Sequence, residues 1–347
     1  MTGIVFTADD MRRRERESDA MTAPPTETPP VPAALPRHFL TLDTLGPGEL
    51  RALLDLTGRL KRDPDVFRGR LAGRRIGMIF DKPSTRTRVS FESAAWMLGM
   101  LPIVLRPDEL QLGHGETVAD TARVLSLYLD ALTVRTFAQA SVEELAADAS
   151  IPVINALTNE HHPCQALADV MTLEEEFGTL AGIQVAFVGD GDNVCHSLIQ
   201  AAALGGFELR VATPPGYAPS AEVVEAARRQ AKTTGGSIVV TRDPIEAVLG
   251  ADAVYSDVWT SMGKEAERAA RRTAFAGFTV DAKLMAKASA GAIFMHCLPA
   301  HRGEEVTDEV IDGPTSRVWP QAANRLHTET ALLYAMITGD LAGERLR

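Results

Sequence analysis

The chain has 347 residues, 45% of them hydrophobic, and a formal net charge of -11. This length accommodates two globular domains, and the acidic balance excludes a general nucleic-acid surface, because phosphate backbones are bound by clustered lysines and arginines. The apolar runs are shorter than the roughly 18 residues of a membrane span, and the three cysteines form no CxxC pair, so the sequence predicts a reduced, cytoplasmic protein without membrane association.

Residues 1–37 differ in composition from the rest of the chain. They contain the charge run DDMRRRERESDA and then a proline-rich stretch without hydrophobic periodicity. Such a segment can bury too little apolar surface to fold. We therefore predict a disordered, proline-rich tail over residues 1–37 and folded chain from His38 onward.

Beyond the tail, apolar runs alternate with amphipathic helical patterns. The first predicted strands lie in RRIGMIF, LPIVLRP, ALTVRTF and IPVINAL, and a long helix follows that we expect to end near Gly178. A second series runs through IQVAFVGD, FELRVATPP, GSIVVTRD, ADAVYSDVW and GAIFMHCLP. The pattern predicts an α/β fold of two domains with mainly parallel sheets, residues 38–178 and 179–319, joined by a helix. A last helix, within residues 320–347, is expected to return to the first domain.

A cluster of hydroxyl and guanidinium groups begins the helix after the first strand. Pro83 ends the strand, and Ser84 follows as the predicted N-cap, with Thr85, Arg86 and Thr87 in the first helical turn. A helix N-terminus offers free N–H donors to an anion, and arginine matches the geometry of phosphate. The segment therefore predicts a site for a small phosphate.

Two further arginines have open interpretations. Arg88 and Glu92 are spaced i, i+4 and can form an ordinary surface ion pair, so Arg88 is as readily structural as functional. Arg135 closes the strand ALTVR, and the carboxyl ends of strands in an open α/β sheet face the ligand crevice. On its own it would be a surface arginine, but beside the phosphate segment it predicts a further cation in the same crevice.

Two side chains that can bind a carbonyl or an amide follow the fourth strand. His162 and Gln165 lie on either side of Pro163 at a strand-to-helix turn. Histidine can donate to a carbonyl oxygen, and glutamine can both donate and accept. We expect these two to face one ligand and His161 to be a neighbour of it.

The segment VGDGDNV allows a dinucleotide-binding interpretation, because it follows a predicted strand and opens a predicted helix. The third glycine of the GxGxxG pattern is absent, since Val194 occupies its position, and the next strand ends in VATPP without an acid for a ribose. The pattern therefore favours Asn193 as an amide that faces the cleft between the domains.

Three polar residues at the ends of later strands predict a site for an amine. Asp257 and Ser261, in DVWTSMG, can bind an ammonium group, although a turn capped by Asp257 is the alternative. Cys297 follows His296, but neighbours on a strand face opposite sides of the sheet, so His296 is badly placed to activate the thiol. We interpret Cys297 as a polar or thiolate contact to a bound amine.

In this order, STRTR, HPCQ, DVWTSMG and HCLP resemble the aspartate/ornithine carbamoyltransferase family and, through the last two motifs, its ornithine branch. The resemblance runs from about His38 to the final helix. It implies transfer of the carbamoyl group of carbamoyl phosphate to the δ-amine of L-ornithine, giving L-citrulline and phosphate in arginine biosynthesis. It also implies a homotrimer or a multiple of trimers, and a reaction without a cofactor or a metal.

The resemblance assigns roles to individual positions. Those implied to bind carbamoyl phosphate are Ser84, Thr85, Arg86, Thr87, Gln111, Arg135, His162, Gln165 and Arg325. Those implied to hold the α-amino and carboxylate ends of ornithine are Asn193, Asp257, Ser261 and Met262. Those implied to act in catalysis or on both substrates are Arg86, Arg135, His162, Cys297 and Leu298.

Two features depart from the pattern of this family, the residue at position 192 and the tail before His38, which has no counterpart in it. Asp192 stands where many members have asparagine. Two rival functions also stay open. The rivals are an NAD-dependent oxidoreductase that uses VGDGDN, and a catalytically silent phosphate-binding protein of the same fold.

Overall fold

The computed structural model describes residues 35–106, 110, 115–261 and 263–346. Positions 1–34 of the predicted tail lie outside the described residues, as do Gln111 and Met262. In the part of the chain that is described, no helix combines the length and the apolar character that crossing a bilayer requires.

The first sheet is parallel and, within the described residues, has four strands in the spatial order β2-β1-β3-β4. These strands are β1 (Arg75–Phe80), β2 (Leu101–Leu105), β3 (Ala131–Arg135) and β4 (Val153–Leu157). The apolar runs of the first series are therefore strands, as predicted. The strand order reverses between β1 and β3, and Phe80 pairs with Arg135 at their carboxyl ends.

The second sheet is also parallel and has five strands in the described chain, in the order β7-β6-β5-β8-β9. They are β5 (Gln184–Val188), β6 (Glu208–Ala212), β7 (Ser237–Thr241), β8 (Ala253–Ser256) and β9 (Ile293–His296). Here the order reverses between β5 and β8, where Val188 pairs with Ser256. In sheets of this kind, ligands bind outside the carboxyl ends of the strands at the point of reversal.

Helices connect the strands in both domains. In the first domain they are α1 (Pro47–Arg62), α2 (Thr85–Leu98), α3 (Val118–Tyr128) and α4 (Gln139–Asp148), with 3-10 turns at Leu42–Thr44 and Pro64–Phe67. In the second they are α6 (Asn193–Gly205), α7 (Ala221–Thr234), α8 (Pro244–Val248), α9 (Arg268–Ala274), α10 (Ala282–Met285) and α11 (Asp308–Ile311), with a 3-10 turn at Glu265–Glu267.

Two long helices join the domains. Helix α5 (Pro163–Phe177) runs from the first domain to the second and ends at Gly178, whose φ of 73° is a left-handed conformation that favours glycine. Helix α12 (Val318–Thr338) packs against α5, α2 and α1, so the C-terminal helix returns to the first domain as predicted. A 3-10 turn at Glu344–Leu346 follows it.

One hydrophobic cluster is continuous through both domains. It includes Phe91 of α2 and Leu332 of α12 on one side, and Val185 and Leu209 of the second sheet on the other. Apolar burial is worth roughly 25 cal/mol per Å², so this shared core stabilises the position of one sheet relative to the other. The two points of strand reversal are thereby fixed facing one cavity.

Candidate active site

A cavity of about 350 Å³ is lined by residues that follow the carboxyl ends of β1, β3, β5 and β8. The structure brings together at this cavity every predicted site residue that it describes. These are Ser84, Thr85, Arg86, Thr87, Arg135, His162, Gln165, Asn193, Asp257, Ser261, Cys297, Leu298 and Arg325. The other two predicted residues, Gln111 and Met262, lie outside the described residues.

The N-terminus of α2 forms one wall of the cavity. Ser84 occupies the N-cap position in an extended conformation, but its side chain makes no capping hydrogen bond. The helix thus begins where the sequence predicts, while the Ser84 hydroxyl is left to face the cavity. Thr85, Arg86 and Thr87 form the first turn, whose N–H groups have no acceptor within the helix.

Three guanidinium groups converge on the same wall. Burial, together with the charges of Arg325 and Arg86, lowers the pKa of Arg135 to about 10. Burial also lowers the pKa of Arg86, and neither Arg86 nor Arg135 has an ion-pair partner among the described residues. Two guanidinium groups that line one cavity beside Arg325, without ion-pair partners in the described chain, favour the binding of an anion there.

Arg325 is the one guanidinium of the three that is held by protein groups. Its Nε and Nη2 atoms donate to Glu329 Oε1 at 2.9 and 2.6 Å, and Nη1 donates to Gln165 Oε1 at 2.8 Å. Burial lowers the pKa of Arg325, but the charge and hydrogen bonds of Glu329 together with the charges of nearby groups, including Asp169, outweigh it, so the pKa is raised. Arg325 is therefore a fixed cation aimed at the cavity.

Gln165 is fixed at both ends of its amide. Its Oε1 accepts from Arg325, and its Nε2 donates to Asp169 Oδ1 at 2.8 Å. Asp169 is completely buried and also accepts from Gln321 Nε2 at 2.7 Å and Tyr255 OH at 3.2 Å. The network joins α5, α12 and β8, so it ties the orientation of a cavity residue to the packing of both domains.

His162 faces the three arginines as a neutral imidazole. Burial lowers its pKa well below the usual value, and the charges of Arg325, Arg135 and Arg86 lower it further. Its backbone N–H donates to Ser197 Oγ at 2.8 Å, and its Nδ1 has no partner in the described chain. A neutral histidine here can donate one hydrogen bond to a carbonyl oxygen without adding a fourth positive charge.

The opposite wall carries acidic and thiol groups. Cys297 Sγ lies 3.0 Å from Asp257 Oδ1, which also accepts from the Val258 N–H at 2.8 Å. Burial raises the pKa of the Cys297 thiol well above its usual range, and the charge of Asp257 adds to this effect. Cys297 is therefore a neutral thiol that donates to Asp257, rather than the thiolate that was one of the two sequence interpretations.

His296 does not hydrogen-bond to Cys297, although a ring nitrogen of His296 lies within 4.8 Å of the Cys297 sulfur. Its Nδ1 accepts from the Leu298 N–H at 2.8 Å, which places the ring proton on Nε2, 3.3 Å from Glu305 Oε1. Leu298 has a φ of 57°, and because its N–H is occupied, only its carbonyl oxygen is available to a ligand. The thiol therefore has no histidine base in the described structure.

Asn193 and Ser261 lie beside this acidic wall. Asn193 Nδ2 donates to the Thr158 carbonyl at 2.6 Å, and its Oδ1 accepts from the Val194 N–H at 2.8 Å. Ser261 Oγ donates to Asp192 Oδ2 at 3.2 Å. One amide hydrogen of Asn193 and the lone pairs of Ser261 are left for a ligand.

Four charged residues of the site or its support escaped the sequence analysis. Lys82 lines the cavity, donates to Asn159 Oδ1 at 2.6 Å and lies 4.2 Å from the centre of the Phe137 ring. Lys264 also lines the cavity, whereas Asp169 and Glu329 support it from behind. The sequence does contain a signal for the last two, since each follows its partner by four residues, the spacing of neighbours on a helix.

Two other observations decide between the open interpretations. Arg88 pairs with Glu92 at 2.8 Å and does not line the cavity, so it is structural.

In the β5–α6 turn, a Cβ added at Gly191 would lie 2.3 Å from the Pro219 nitrogen. The chain at Pro219 thus fills the space beside the turn where a dinucleotide would place its pyrophosphate, which disfavours the dinucleotide interpretation.

Among the described residues, two groups of side chains have the composition of a metal site. Asp257, His296 and Cys297 offer ligand atoms within 4.8 Å of one another, as do His301, Glu304 and Glu305. In both groups, some of the ligand atoms already contact other protein groups. The thiol donates to Asp257, the His296 ring lies between Leu298 and Glu305, and Arg268 Nη2 donates to Glu304 at 2.6 Å.

Comparison with known proteins places the whole folded chain in one family. Residues 37–175 match the family described as aspartate/ornithine carbamoyltransferase, carbamoyl-P binding domain, and residues 181–336 match its Asp/Orn binding domain. Ornithine carbamoyltransferase of Methanoculleus marisnigri is 50% identical over 308 residues, covering 88% of this chain and 98% of the relative. That of Bacillus subtilis is 51% identical over 303 residues, covering 87% and 94%.

Solved structures agree with the sequence relatives. Ornithine carbamoyltransferase from Pyrococcus furiosus superimposes with a TM-score of 0.84 at 48% identity, covering 87% of this chain and 97% of that one. The protein from Gloeobacter violaceus gives a TM-score of 0.80 at 46% identity, with coverage of 88% and 99%.

Proposed function

This chain is a member of the aspartate/ornithine carbamoyltransferase family, and from that premise we propose that it transfers the carbamoyl group of carbamoyl phosphate to the δ-amine of L-ornithine. The products are L-citrulline and phosphate. One observation carries the proposal: a single cavity has three guanidinium groups on one wall and the Asp257–Cys297 pair on the other. The first wall suits an anionic donor, and the second suits the ammonium end of an amino acid.

Carbamoyl phosphate binds with its phosphate at the start of α2. The hydroxyls of Ser84, Thr85 and Thr87, the free N–H groups of the first turn, and Arg86 and Arg135 supply donors and positive charge there. The Gln111 segment completes this end of the site in the family pattern. The carbamoyl group then extends towards His162, Gln165 and Arg325.

Ornithine binds at the opposite wall. Asp257 and Ser261 accept from its α-ammonium group, while Asn193 and the Met262 segment bind its carboxylate. Cys297 keeps Asp257 oriented through the thiol hydrogen bond. The side chain of ornithine therefore points its δ-amine at the carbamoyl carbon.

The reaction is an attack of the neutral δ-amine on that carbon. A C–N bond forms, the carbonyl oxygen gains negative charge in a tetrahedral intermediate, and the C–O bond to phosphate then breaks. His162 and Arg325 stabilise the oxygen, Arg86 and Arg135 stabilise the departing phosphate, and the phosphate can accept the proton lost by the amine. At an amine pKa of about 10.4, neutrality near pH 7.4 costs about 4 kcal/mol, which the surrounding guanidinium charges offset.

The proposed assembly is a homotrimer or a multiple of trimers. Large apolar side chains are exposed on α2, on the edge strand β2 and on α3 of the first domain, and we propose that they form one face: Val89, Trp96, Leu101, Leu127 and Tyr128. Exposed apolar patches of this kind mark protein interfaces. We further propose that the enzyme acts in the cytoplasm, in arginine biosynthesis, and that its domain boundaries lie at 38–178 and 179–319.

The assembly proposal is tested by one substitution on this face and one elsewhere. Sedimentation of the wild-type chain should give a mass three times that of one chain, or a multiple of it. Trp96→Asp should dissociate it, whereas Ile245→Asp, at a similarly exposed apolar position of the second domain, should not. A monomeric wild type would overturn the proposal.

The activity is tested by measuring citrulline. The purified chain is incubated with carbamoyl phosphate and L-ornithine, and in parallel with aspartate, putrescine and N-acetylornithine as acceptors. We expect carbamoylation of ornithine to exceed that of each of the others. Preference for another acceptor would overturn the substrate assignment, and no product with any of them would favour the catalytically silent protein.

A further inference from the structure

Asp192 connects two segments of the acceptor wall, which is the wall of the cavity, after β5 and β8, that is proposed to bind ornithine. It is the N-cap residue of α6, yet its side chain makes no capping hydrogen bond. Its Oδ2 instead accepts from Ser261 Oγ at 3.2 Å and lies 3.4 Å from Lys264 Nζ. The carboxylate thus joins the turn after β5 to the loop after β8, and Asp192, Ser261 and Lys264 all line the cavity.

On the basis of the proposed function, we infer that Asp192 is a positioning residue that orients the Ser261 hydroxyl and so makes the site select acceptors with an α-ammonium group. An ionised carboxylate can only accept hydrogen bonds, and a serine hydroxyl has one hydrogen. When that hydrogen points at Asp192, Ser261 presents only lone pairs to the cavity. Lone pairs attract an ammonium group and repel a carboxylate.

The charges around Asp192 favour this arrangement. Asp257 lies on the same wall, and Lys264 pairs with Asp192 while its Nζ is 3.9 Å from Asp190. Burial and the charge of Asp257, opposed by Lys264 and by the hydrogen bond from Ser261, raise the pKa of Asp192 to about 6. The carboxylate is therefore ionised at pH 8, where the kinetic test is made.

An asparagine at this position would act differently. Its amide can donate or accept, so it can bind Ser261 with the hydroxyl in either direction. Ser261 would then be free to donate to a carboxylate as readily as it accepts from an ammonium group. The substitution Asp192→Asn conserves shape and removes the restriction, which makes it the appropriate variant.

The test compares L-ornithine with 5-aminopentanoate, which has the same δ-amine and carboxylate but lacks the α-amino group. We expect Asp192→Asn to lower the ratio of kcat/KM for ornithine to that for 5-aminopentanoate by roughly tenfold, the order expected for a hydrogen bond to a charged group. KM for ornithine should rise. KM for carbamoyl phosphate should change less than about twofold, because the substitution leaves the residues proposed to bind carbamoyl phosphate unchanged.

Ser261→Ala and the double variant separate positioning from a merely structural role. If Asp192 acts through the hydroxyl, Ser261→Ala loses the same discrimination, and adding Asp192→Asn to it changes the ratio no further. An unchanged ratio in Asp192→Asn, or full discrimination retained in Ser261→Ala, overturns the inference. A wild-type chain that forms no citrulline overturns the proposed function and this inference with it, whereas an active wild type with unaltered variant ratios overturns the inference alone.

Discussion

The two walls of the cavity carry charges of opposite sign. The donor wall, at α2, β3 and α12, gathers Arg86, Arg135 and Arg325 around a neutral His162. The acceptor wall, after β5 and β8, gathers Asp192 and Asp257. Ornithine has two amines, and the reaction needs one of them charged for binding and the other neutral for attack. Positive charge at one end and negative charge at the other allow one site to treat the two amines differently.

The walls also differ in how their side chains are held. Arg325 is fixed by Glu329 and Gln165, and Gln165 by Asp169, all on long helices and nearly fully buried. Asp192 and Ser261 lie on turns and bond to each other across the loop. The donor wall is thus formed in advance by the core, whereas the acceptor wall depends on contacts between surface turns.

The largest effect is expected at the donor wall. Arg86→Ala should lower kcat/KM for carbamoyl phosphate by roughly 10²- to 10⁴-fold, since hydrogen bonds to charged groups contribute about 1.5 to 3 kcal/mol each and Arg86 can make two to a phosphate. Steady-state citrulline formation at varied carbamoyl phosphate measures it. Arg86→Lys keeps the charge but loses the paired hydrogen bonds, so its kcat/KM should lie between the values of the wild type and Arg86→Ala. Near wild-type kinetics in Arg86→Ala would contradict the phosphate assignment.

Removing a support behind the donor wall should reduce stability. Arg325 and Glu329 form a buried pair, with 6% and 1% of their side chains exposed, so Glu329→Gln leaves an uncompensated buried charge and should lower the free energy of unfolding by about 3 kcal/mol. Arg88 and Glu92 have the same i, i+4 spacing but are 52% and 35% exposed. Glu92→Gln is therefore the matched control and should cost less than about 1 kcal/mol in urea unfolding. Equal losses of unfolding free energy in the two variants would show that burial of the Arg325–Glu329 pair makes no difference to stability.

The requirement for a neutral δ-amine should appear in the pH dependence of kcat/KM for ornithine. Only neutral δ-amine reacts, and its fraction rises about tenfold per pH unit below its pKa of about 10.4. We expect kcat/KM for ornithine, at saturating carbamoyl phosphate, to rise with pH between about 6 and 8. His162 does not contribute to this rise, because it is neutral throughout the range. A flat profile would mean that the protonated amine binds and is deprotonated within the site.

The smallest effect is expected for the thiol. Cys297→Ala removes one hydrogen bond from a thiol, a weak donor, to Asp257, which we expect to be worth about 1 kcal/mol. KM for ornithine should therefore rise by several-fold, while binding of carbamoyl phosphate changes less. Initial rates with each substrate varied in turn give both values, and an equal loss for the two would assign Cys297 to the donor wall as well.

Most of the fold could be predicted from the sequence, because parallel strands buried on both faces are continuous apolar runs. RRIGMIF and IQVAFVGD both form central strands of their sheets, and the helix from Pro163 ends at the glycine that its pattern indicates. The site could be predicted where functional residues are consecutive, as in STRTR. Ser84 occupies the predicted N-cap position, but that its hydroxyl caps nothing follows from three-dimensional geometry.

Apart from the i, i+4 pairs, the contacts of the supporting residues could not be predicted, because the partners are distant in sequence. Arg325 donates to Gln165, 160 positions away, and Gln321 donates to Asp169, 152 positions away. No local pattern encodes such pairs, since each side chain separately resembles an ordinary polar residue on a helix. The contact between Asp192 and Ser261 spans 69 positions and is equally invisible until the two turns are brought together.

We propose above all that one cavity binds an anionic carbamoyl donor opposite ornithine, whose α-ammonium group faces the acidic wall while its δ-amine reacts. The most direct measurement is the rate of citrulline formation by the wild-type chain with carbamoyl phosphate and L-ornithine, set against the rate of carbamoylation of aspartate. We predict rapid turnover with ornithine and at least about a hundredfold lower kcat/KM with aspartate, whose second carboxylate would face the acidic wall instead of an amine. Comparable rates with both acceptors, or product from aspartate alone, would contradict it.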